Sequence, residues 1–311
     1  MRPNILVVGL NPVMQKTIVL EHLWENEVNR SSTYIFSVAG KGGNTSRVLT
    51  ELNANIIHLT HGGGIFKETF RSMLENDGIH TEIVDSGSEI RLCYTLINKE
   101  RNTATEIVEE ALPIDTETDA RMRKAYLAWI DMVKVVAICG TKATGYSSDI
   151  IPWMVKTATE NNKKVVLDVK GNDLIDSIGF KPTVIKPNLK EFIDTFFPQD
   201  SIKEQDESSV VLDAVKQKML DLKKDVGITT VLTRGARPVL FCEEKAIKES
   251  AVDKVIPVNT IGSGDAFTAG ISFALSENRS IADCVNIGIA CGKANAMNLQ
   301  PGTIKGGTIP L

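Results

Sequence analysis

A chain of 311 residues, 42% hydrophobic, 24% charged and only 5% aromatic, is long enough to bury a large, mostly aliphatic core. A net charge of −4 with no block of Lys or Arg, and four scattered histidines, leaves no electrostatic footprint for nucleic acid. No stretch approaches the roughly 20 apolar residues of a spanning helix, and no signal-peptide cleavage pattern follows Ile5-Leu6-Val7-Val8, so a cytoplasmic protein with no membrane partner is expected.

Ile5 to Val8 is the first apolar run that reads as a strand. Others follow at Ile56 to Leu59, Val133 to Ile138, Lys164 to Leu167, Val184 to Ile185, Ile228 to Leu232 and Pro238 to Phe241. Helical patterns lie between them, clearest from Asp206 to Lys224, where Val211, Leu212, Val215, Met219 and Leu222 share a face. Such alternation predicts a mostly parallel sheet covered on both sides. Thr17 to Phe36 and Glu89 to Val108 break the rhythm with β-branched, alternating segments such as Arg91-Leu92-Cys93-Tyr94-Thr95-Leu96-Ile97. They are expected to pair as a small antiparallel sheet beside the main one, forming a lid. The polar stretch Pro198 to Ser209 reads as a solvated loop. Cys93, Cys139, Cys242, Cys284 and Cys291 form no CxxC pair and are odd in number, which suits reduced, buried thiols, with Cys284 and Cys291 on one helix face.

Three clusters carry chemistry. In Ala39-Gly40-Lys41-Gly42-Gly43-Asn44, before the helix-like Thr45 to Leu52, amides, a lysine and a side-chain amide gather at a helix start. A site for an anion or sugar hydroxyls fits this run, and so does a plain glycine-rich turn with Asn44 or Thr45 as N-cap. It is not a Walker A loop, and no dinucleotide G-x-G-x-x-G occurs, since Phe267 stands where the third glycine of the later run would be.

In Val184-Ile185-Lys186-Pro187-Asn188-Leu189-Lys190-Glu191 the proline ends a strand, and Asn188 and Glu191 have capping-box spacing. The functional alternative is that Glu191 positions Mg2+ through water near a nucleotide. Thr233-Arg234-Gly235 is a further strand-end turn of the kind that lines nucleotide sites.

The most informative run is Asn259 to Gly270, where Gly262 and Gly264 bracket a helix start and Asp265 sits in the same turn. An acidic residue there can simply cap the helix. The bracketing glycines and the late position favour instead a base beside an anion hole, the combination that phosphoryl transfer to a hydroxyl requires.

Gly40 to Asn44, Lys186-Pro187-Asn188-x-x-Glu191, Thr233-x-Gly235 and Gly262-x-Gly264-Asp265 together resemble the PfkB family of ribokinase-like carbohydrate kinases along essentially the whole chain. Asn11-Pro12, Val28-Asn29-Arg30, the run Gly40 to Leu49, Arg91, Thr105 to Glu109 and Ala294 to Met297 make it most similar to the branch of 1-phosphofructokinase and tagatose-6-phosphate kinase. The resemblance implies an α/β, three-layer αβα sandwich with a mostly parallel central sheet. It also implies one kinase domain over 1–311, with lid segments near 11–36 and 89–110 that offer a homodimer surface. ATP is the implied donor, with Mg2+.

By that resemblance Asp265 is the catalytic base, and the backbone of Gly262, Ser263 and Gly264 its anion hole. Gly40, Gly42 and Asn44 contact the sugar, and Lys41, Arg91 and Arg30 hold a phosphate already on it. Lys186, Asn188, Thr233, Gly235 and Asn295 fall on the nucleotide side, and Glu191 on the metal. The family's Asp after strand one is Gln15 here, a neutral amide that both donates and accepts, which alters the hydroxyl pattern it can recognise. Ala39, the turn Gly140 to Gly145 and Asp168-Val169-Lys170-Gly171 also depart from the pattern. The expected activity is phosphorylation of a hydroxyl of a phosphorylated ketohexose, fructose 1-phosphate first and tagatose 6-phosphate next. The alternatives are a kinase of an unphosphorylated sugar or nucleoside, and a non-catalytic sugar-phosphate or nucleotide sensor.

Overall fold

The computed structural model describes residues 4–198 and 209–311. In chain order its strands are β1 (Ile5–Gly9), β2 (Val13–Leu20), β3 (Thr33–Ala39), β4 (Ile56–Gly63), β5 (Thr81–Glu89), β6 (Arg91–Asn98), β7 (Thr103–Val108), β8 (Val135–Cys139), β9 (Lys164–Asp168), β10 (Val184–Ile185), β11 (Thr229–Arg234), β12 (Arg237–Glu243) and β13 (Ala246–Ser250). The helices are α1 (Gly40–Glu51), α2 (Lys67–Asn76), α3 (Thr118–Ile130), α4 (Ile150–Glu160), α5 (Asn172–Ile178), α6 (Leu189–Phe196), α7 (Ser209–Asp221), α8 (Ser263–Ser276) and α9 (Ile281–Ala296).

Nine strands form one sheet in the order β13-β12-β11-β10-β9-β8-β1-β4-β5, parallel from β11 to β5 with an antiparallel β12–β13 edge. The pleat explains why its strands read as continuous apolar runs. Within β1, Leu6 and Val8 enter a core shared with α3, α4 and α6, while Ile5 and Val7 enter one shared with α1, α2, α8 and α9. The result is the expected three-layer αβα arrangement. Strands β5 and β13 are edge strands rich in polar residues, so neither forms an apolar run in the sequence.

Helices α8 and α9 pack without intervening side chains at one point, since a Cβ on Gly270 would lie 2.8 Å from the Gly288 Cα. Cys284 and Cys291 are both buried in α9, and all five cysteines are free and buried, as read from their spacing. No helix among the described residues is long and apolar enough to cross a membrane.

Two expectations require correction. The lid sheet, β3-β2-β6-β7, is not antiparallel throughout, because its two hairpins join through a parallel β2–β6 pair. The cause is topological. β2 leaves the carboxyl end of β1 and β6 leaves the carboxyl end of β5, and those parents run in the same direction, so their continuations do too.

The second concerns α1, which begins at Gly40 and not at Thr45. The glycine run forms the helix's own first turn, and Asn44 is no cap. The helix expected from Asp206 to Lys224 is described from Ser209 and ends in a π-helical turn, Leu222–Val226, closed by Gly227 at φ 84°. Its first residues and the loop expected over 199–208 lie outside the described residues.

Candidate active site

The carboxyl ends of β1, β8, β9, β10 and β11 point to one edge of the sheet. The loops there, with the N-terminus of α1 and the base of the lid, enclose a cleft lined by Asn11, Gly40, Lys41, Gly42, Arg91, Thr141 and Glu191 among others. Gly42 makes this geometry possible, because a Cβ there would lie 2.8 Å from the Gly9 Cα and 2.9 Å from the His58 ring. His58, held by the Val7 carbonyl at 3.3 Å, is buried enough for its pKa to fall to about 4, so this imidazole is neutral at pH 7. The start of α8, with Asp265, is not part of the cleft lining and meets it through α1, where Asn44 and Thr45 contact Asp265.

At the start of α8, Gly262 takes φ +83°, and a Cβ on it would sit 2.7 Å from the Gly302 nitrogen. Asp265 does not cap this helix. Only 8% exposed, it accepts the Asn44 Nδ2 at 2.8 Å. Burial pushes its carboxyl up to about 6. The Lys41 charge opposes that, Asp168 reinforces it, and the Asn44 bond and Lys186 pull back. A carboxylate poised near neutrality at a helix N-terminus can accept a proton from a hydroxyl and shelter the charge of a transferring anion, although the Ser263 N–H there donates to the Thr260 carbonyl at 3.2 Å.

Asp168, at the end of β9, connects the two sides of the cleft. It accepts Lys41 Nζ at 2.8 Å and Thr268 Oγ1 at 2.6 Å, and lies 3.2 Å from Lys186 Nζ. Burial alone would raise its carboxyl, but the charges of Lys186 and Lys41 and these hydrogen bonds hold it down at about 2. Burial likewise works against the Lys41 ammonium, yet Asp168, Glu191 and Asp265 outweigh it and hold Lys41 above its ordinary value. Lys186 Nζ lies 3.7 Å from where a Gly264 Cβ would be, directly under the glycine turn.

Asn188 and Glu191 form the capping box. Glu191 N donates to Asn188 Oδ1 at 2.8 Å, and Asn188 N to Glu191 Oε2 at 2.9 Å. The other carboxylate oxygen, Oε1, faces the cleft 3.3 Å from Lys41 Nζ. Thr233 pairs with Asn188 in a parallel bridge, and Gly235 takes φ +61° in the exposed turn between β11 and β12.

The structure does not gather every residue singled out in the sequence. Arg91 lines the cleft, donating Nη1 to the Glu109 carbonyl at 3.0 Å, while its Nε is buried with no partner. Arg30 is exposed in the loop between β2 and β3 and does not line the cleft. Gln15 is buried within the lid, its Nε2 donating to Thr95 Oγ1, and is also outside the cleft lining. Asn295 is fully buried. Its Nδ2 donates to the Ile261 carbonyl at 2.9 Å and to Ser263 Oγ at 3.1 Å, and its Oδ1 accepts Gly302 N at 2.6 Å. It braces the glycine turn and presents no free polar atom to a nucleotide. Asp168 had appeared in the sequence only as a departure from a pattern. Its position at the carboxyl end of a buried parallel strand was the signal that could have marked it.

A profile for "pfkB family carbohydrate kinase" matches residues 2–304. The fold is also that of phosphofructokinase-2 from Escherichia coli, at 16% identity and a TM-score of 0.83 over 96% of this chain and 94% of that one. A Thermotoga maritima protein described as a possible 1-phosphofructokinase is 20% identical with a TM-score of 0.83, over 98% and 94%. Ribokinase from the same organism is 16% identical with a TM-score of 0.74, over 99% and 96%. At these identities the likeness to solved structures carries the fold alone.

Proposed function

The chain belongs to the pfkB family of carbohydrate kinases, and from that premise we propose that it uses ATP to phosphorylate a hydroxyl of a phosphorylated ketohexose, fructose 1-phosphate first and tagatose 6-phosphate next. The observation that carries the reading is the buried Asp265, its carboxyl raised to about 6 and held by Asn44, at the start of α8.

Asp265 takes the proton from the attacking hydroxyl, and the amides of Gly262 and Gly264 with Lys186 hold the charge of the phosphoryl group in transfer, the Ser263 amide being engaged by the Thr260 carbonyl. Lys41 and Arg91 bind the phosphate already on the sugar. Two cations on one cleft, one with an unpartnered buried Nε, suit a dianion better than a neutral sugar. Glu191 suits Mg2+, since its Oε1 faces the cleft and no cluster of three His, Cys, Asp or Glu side chains able to cage a metal occurs among the described residues. That donor set fits an ion that takes most of its ligands from water and phosphate oxygens. When bound, Mg2+ supplies neutralisation of the phosphate charge.

ADP release is measured with fructose 1-phosphate, tagatose 6-phosphate, fructose 6-phosphate, free hexoses and ribose. Turnover confined to one phosphosugar is expected. Arg91→Ala is expected to raise KM for that phosphosugar by about tenfold to a hundredfold, from roughly 1.5–3 kcal/mol per charge-assisted hydrogen bond. Phosphosugar preference that survives Arg91→Ala removes the proposed phosphate clamp, and turnover of ribose or a free hexose alone overturns the substrate class.

The lid also supports a homodimer. On its outer face Phe36, Lys16, Tyr94 and Ile107 stand in one cross-strand row, with Tyr34 beside them, and Tyr34, Phe36 and Ile107 are 57%, 43% and 54% exposed. Sedimentation velocity is expected to give twice the 34.0 kDa chain mass, and Phe36→Asp to give monomers. A parent protein that sediments as a monomer at micromolar concentration rules the lid dimer out.

A further inference from the structure

Arg47, in the second turn of α1, is among the largest fully buried side chains, at 2% exposure, and plays no direct part in the chemistry proposed above. Its guanidinium makes four hydrogen bonds and an ion pair with Asp77. Nε donates to Asp77 Oδ2 at 2.9 Å, and Nη2 lies 2.8 Å from the same oxygen while donating to the Val38 carbonyl at 2.6 Å. Nη1 donates to the Pro301 carbonyl at 3.1 Å and to Asn44 Oδ1 at 3.4 Å. These acceptors come from four parts of the chain: the turn after α2, the base of lid strand β3, the loop after α9, and α1 itself.

Two of these contacts lead to the catalytic turn. A guanidinium can only donate, so it requires the oxygen of the Asn44 amide on its side, which leaves Nδ2 to face Asp265. Pro301 precedes Gly302, whose N–H fixes Asn295, and Asn295 in turn holds Ile261 and Ser263 on either side of Gly262. The third contact, to Val38, lies one residue before the end of the lid strand that leads into α1. We propose that Arg47 is a positioning residue that orients Asn44 toward Asp265 and ties the base of the lid to the Gly262–Asp265 turn. Lysine cannot replace it, because a single ammonium cannot span four acceptors held in a planar fork.

The inference rests on Asp265 as the base, and the test separates the two. In Arg47→Lys, kcat is expected to fall by about a hundredfold, the size expected of a small misplacement at the reacting atoms, with KM for the sugar little changed. The ascending limb of the kcat–pH profile is expected to move to higher pH, because the Asn44 hydrogen bond that stabilises the Asp265 carboxylate is loosened. Asp265 also faces Lys41 of α1, Asp168 at the end of β9, Lys186 after β10 and the Cys139 thiol at the end of β8, none of which this substitution changes.

Asp77→Asn keeps the arginine but removes its charged anchor, and is expected to move the limb the same way by less. If Arg47→Lys does not fold, Asp77→Asn decides alone. A lowered kcat with an unmoved limb, or an unchanged profile, in whichever variants fold overturns the coupling. Turnover that persists in Asp265→Asn overturns the base instead.

Discussion

Asp265→Asn is expected to lower kcat by about 10^2–10^4-fold, the contribution of a positioned general base, with a much smaller change in KM for either substrate. In the parent enzyme kcat should rise as pH climbs through about 6, since Asp265 accepts a proton only when ionised and burial holds it at that value. The same shift acts on stability with the opposite sense. A carboxyl held above its unfolded value of about 3.9 makes ionisation costly to the fold. The cost is absent below about pH 4, grows through about pH 6 and is complete at pH 7, amounting to roughly 2–3 kcal/mol. Asp265→Asn removes it, so the variant is expected to melt higher than the parent at pH 7 and close to it at pH 4. Equal turnover in the variant would eliminate the base, and a lower melting temperature at pH 7 would show that ionised Asp265 contributes stability.

Asp168→Ala should have the largest effect on stability. Its carboxylate is 1% exposed, and its partner Lys186 is 3% exposed, so removing the acid leaves a buried ammonium without its counter-charge, beside a half-buried Lys41 that also loses its closest partner. Breaking a buried pair from one side costs about 3–5 kcal/mol, a fall in melting temperature of roughly 5–8 °C for a chain of this size. The linkage again follows from the direction of the shift. Asp168 is depressed to about 2, so its contribution is present above the unfolded value and is lost as pH falls toward 2. Acid titration of melting temperature should therefore be shallower between pH 4 and 2 in the variant. A variant with an unchanged melting temperature at pH 7 would show that Asp168 is not the structural hub of the cleft.

The local features of the site were legible because they depend on neighbours in the chain. Asn188 and Glu191 are three positions apart, and the capping box formed as their spacing predicted. Gly262 had to be glycine for a tight turn, and it takes a positive φ. The apolar runs from Ile5 to Phe241 became strands of the main sheet because burial on both faces leaves a mark on every residue of a strand. The parallel lid pair was not legible, since alternation sets which face a residue occupies and carries no information on strand direction.

By itself the sequence determined the αβα architecture and the glycine-bracketed start of α8, and it marked Asp265 as the candidate for the proposed base. Only the tertiary structure decided what surrounds that base. Asn44 reaches Asp265 across 221 positions, and Lys41 reaches Asp168 across 127. Arg30 and Gln15, chosen for chemistry suited to a sugar phosphate, stand outside the cleft lining, as does Asp265 itself, which meets it through Asn44 of α1, and Asn295 serves as a brace. Propensity, capping and turn geometry are set within a few residues. A pKa, an ion pair or a brace depends on which distant segments the sheet order places together, and on how much water they exclude.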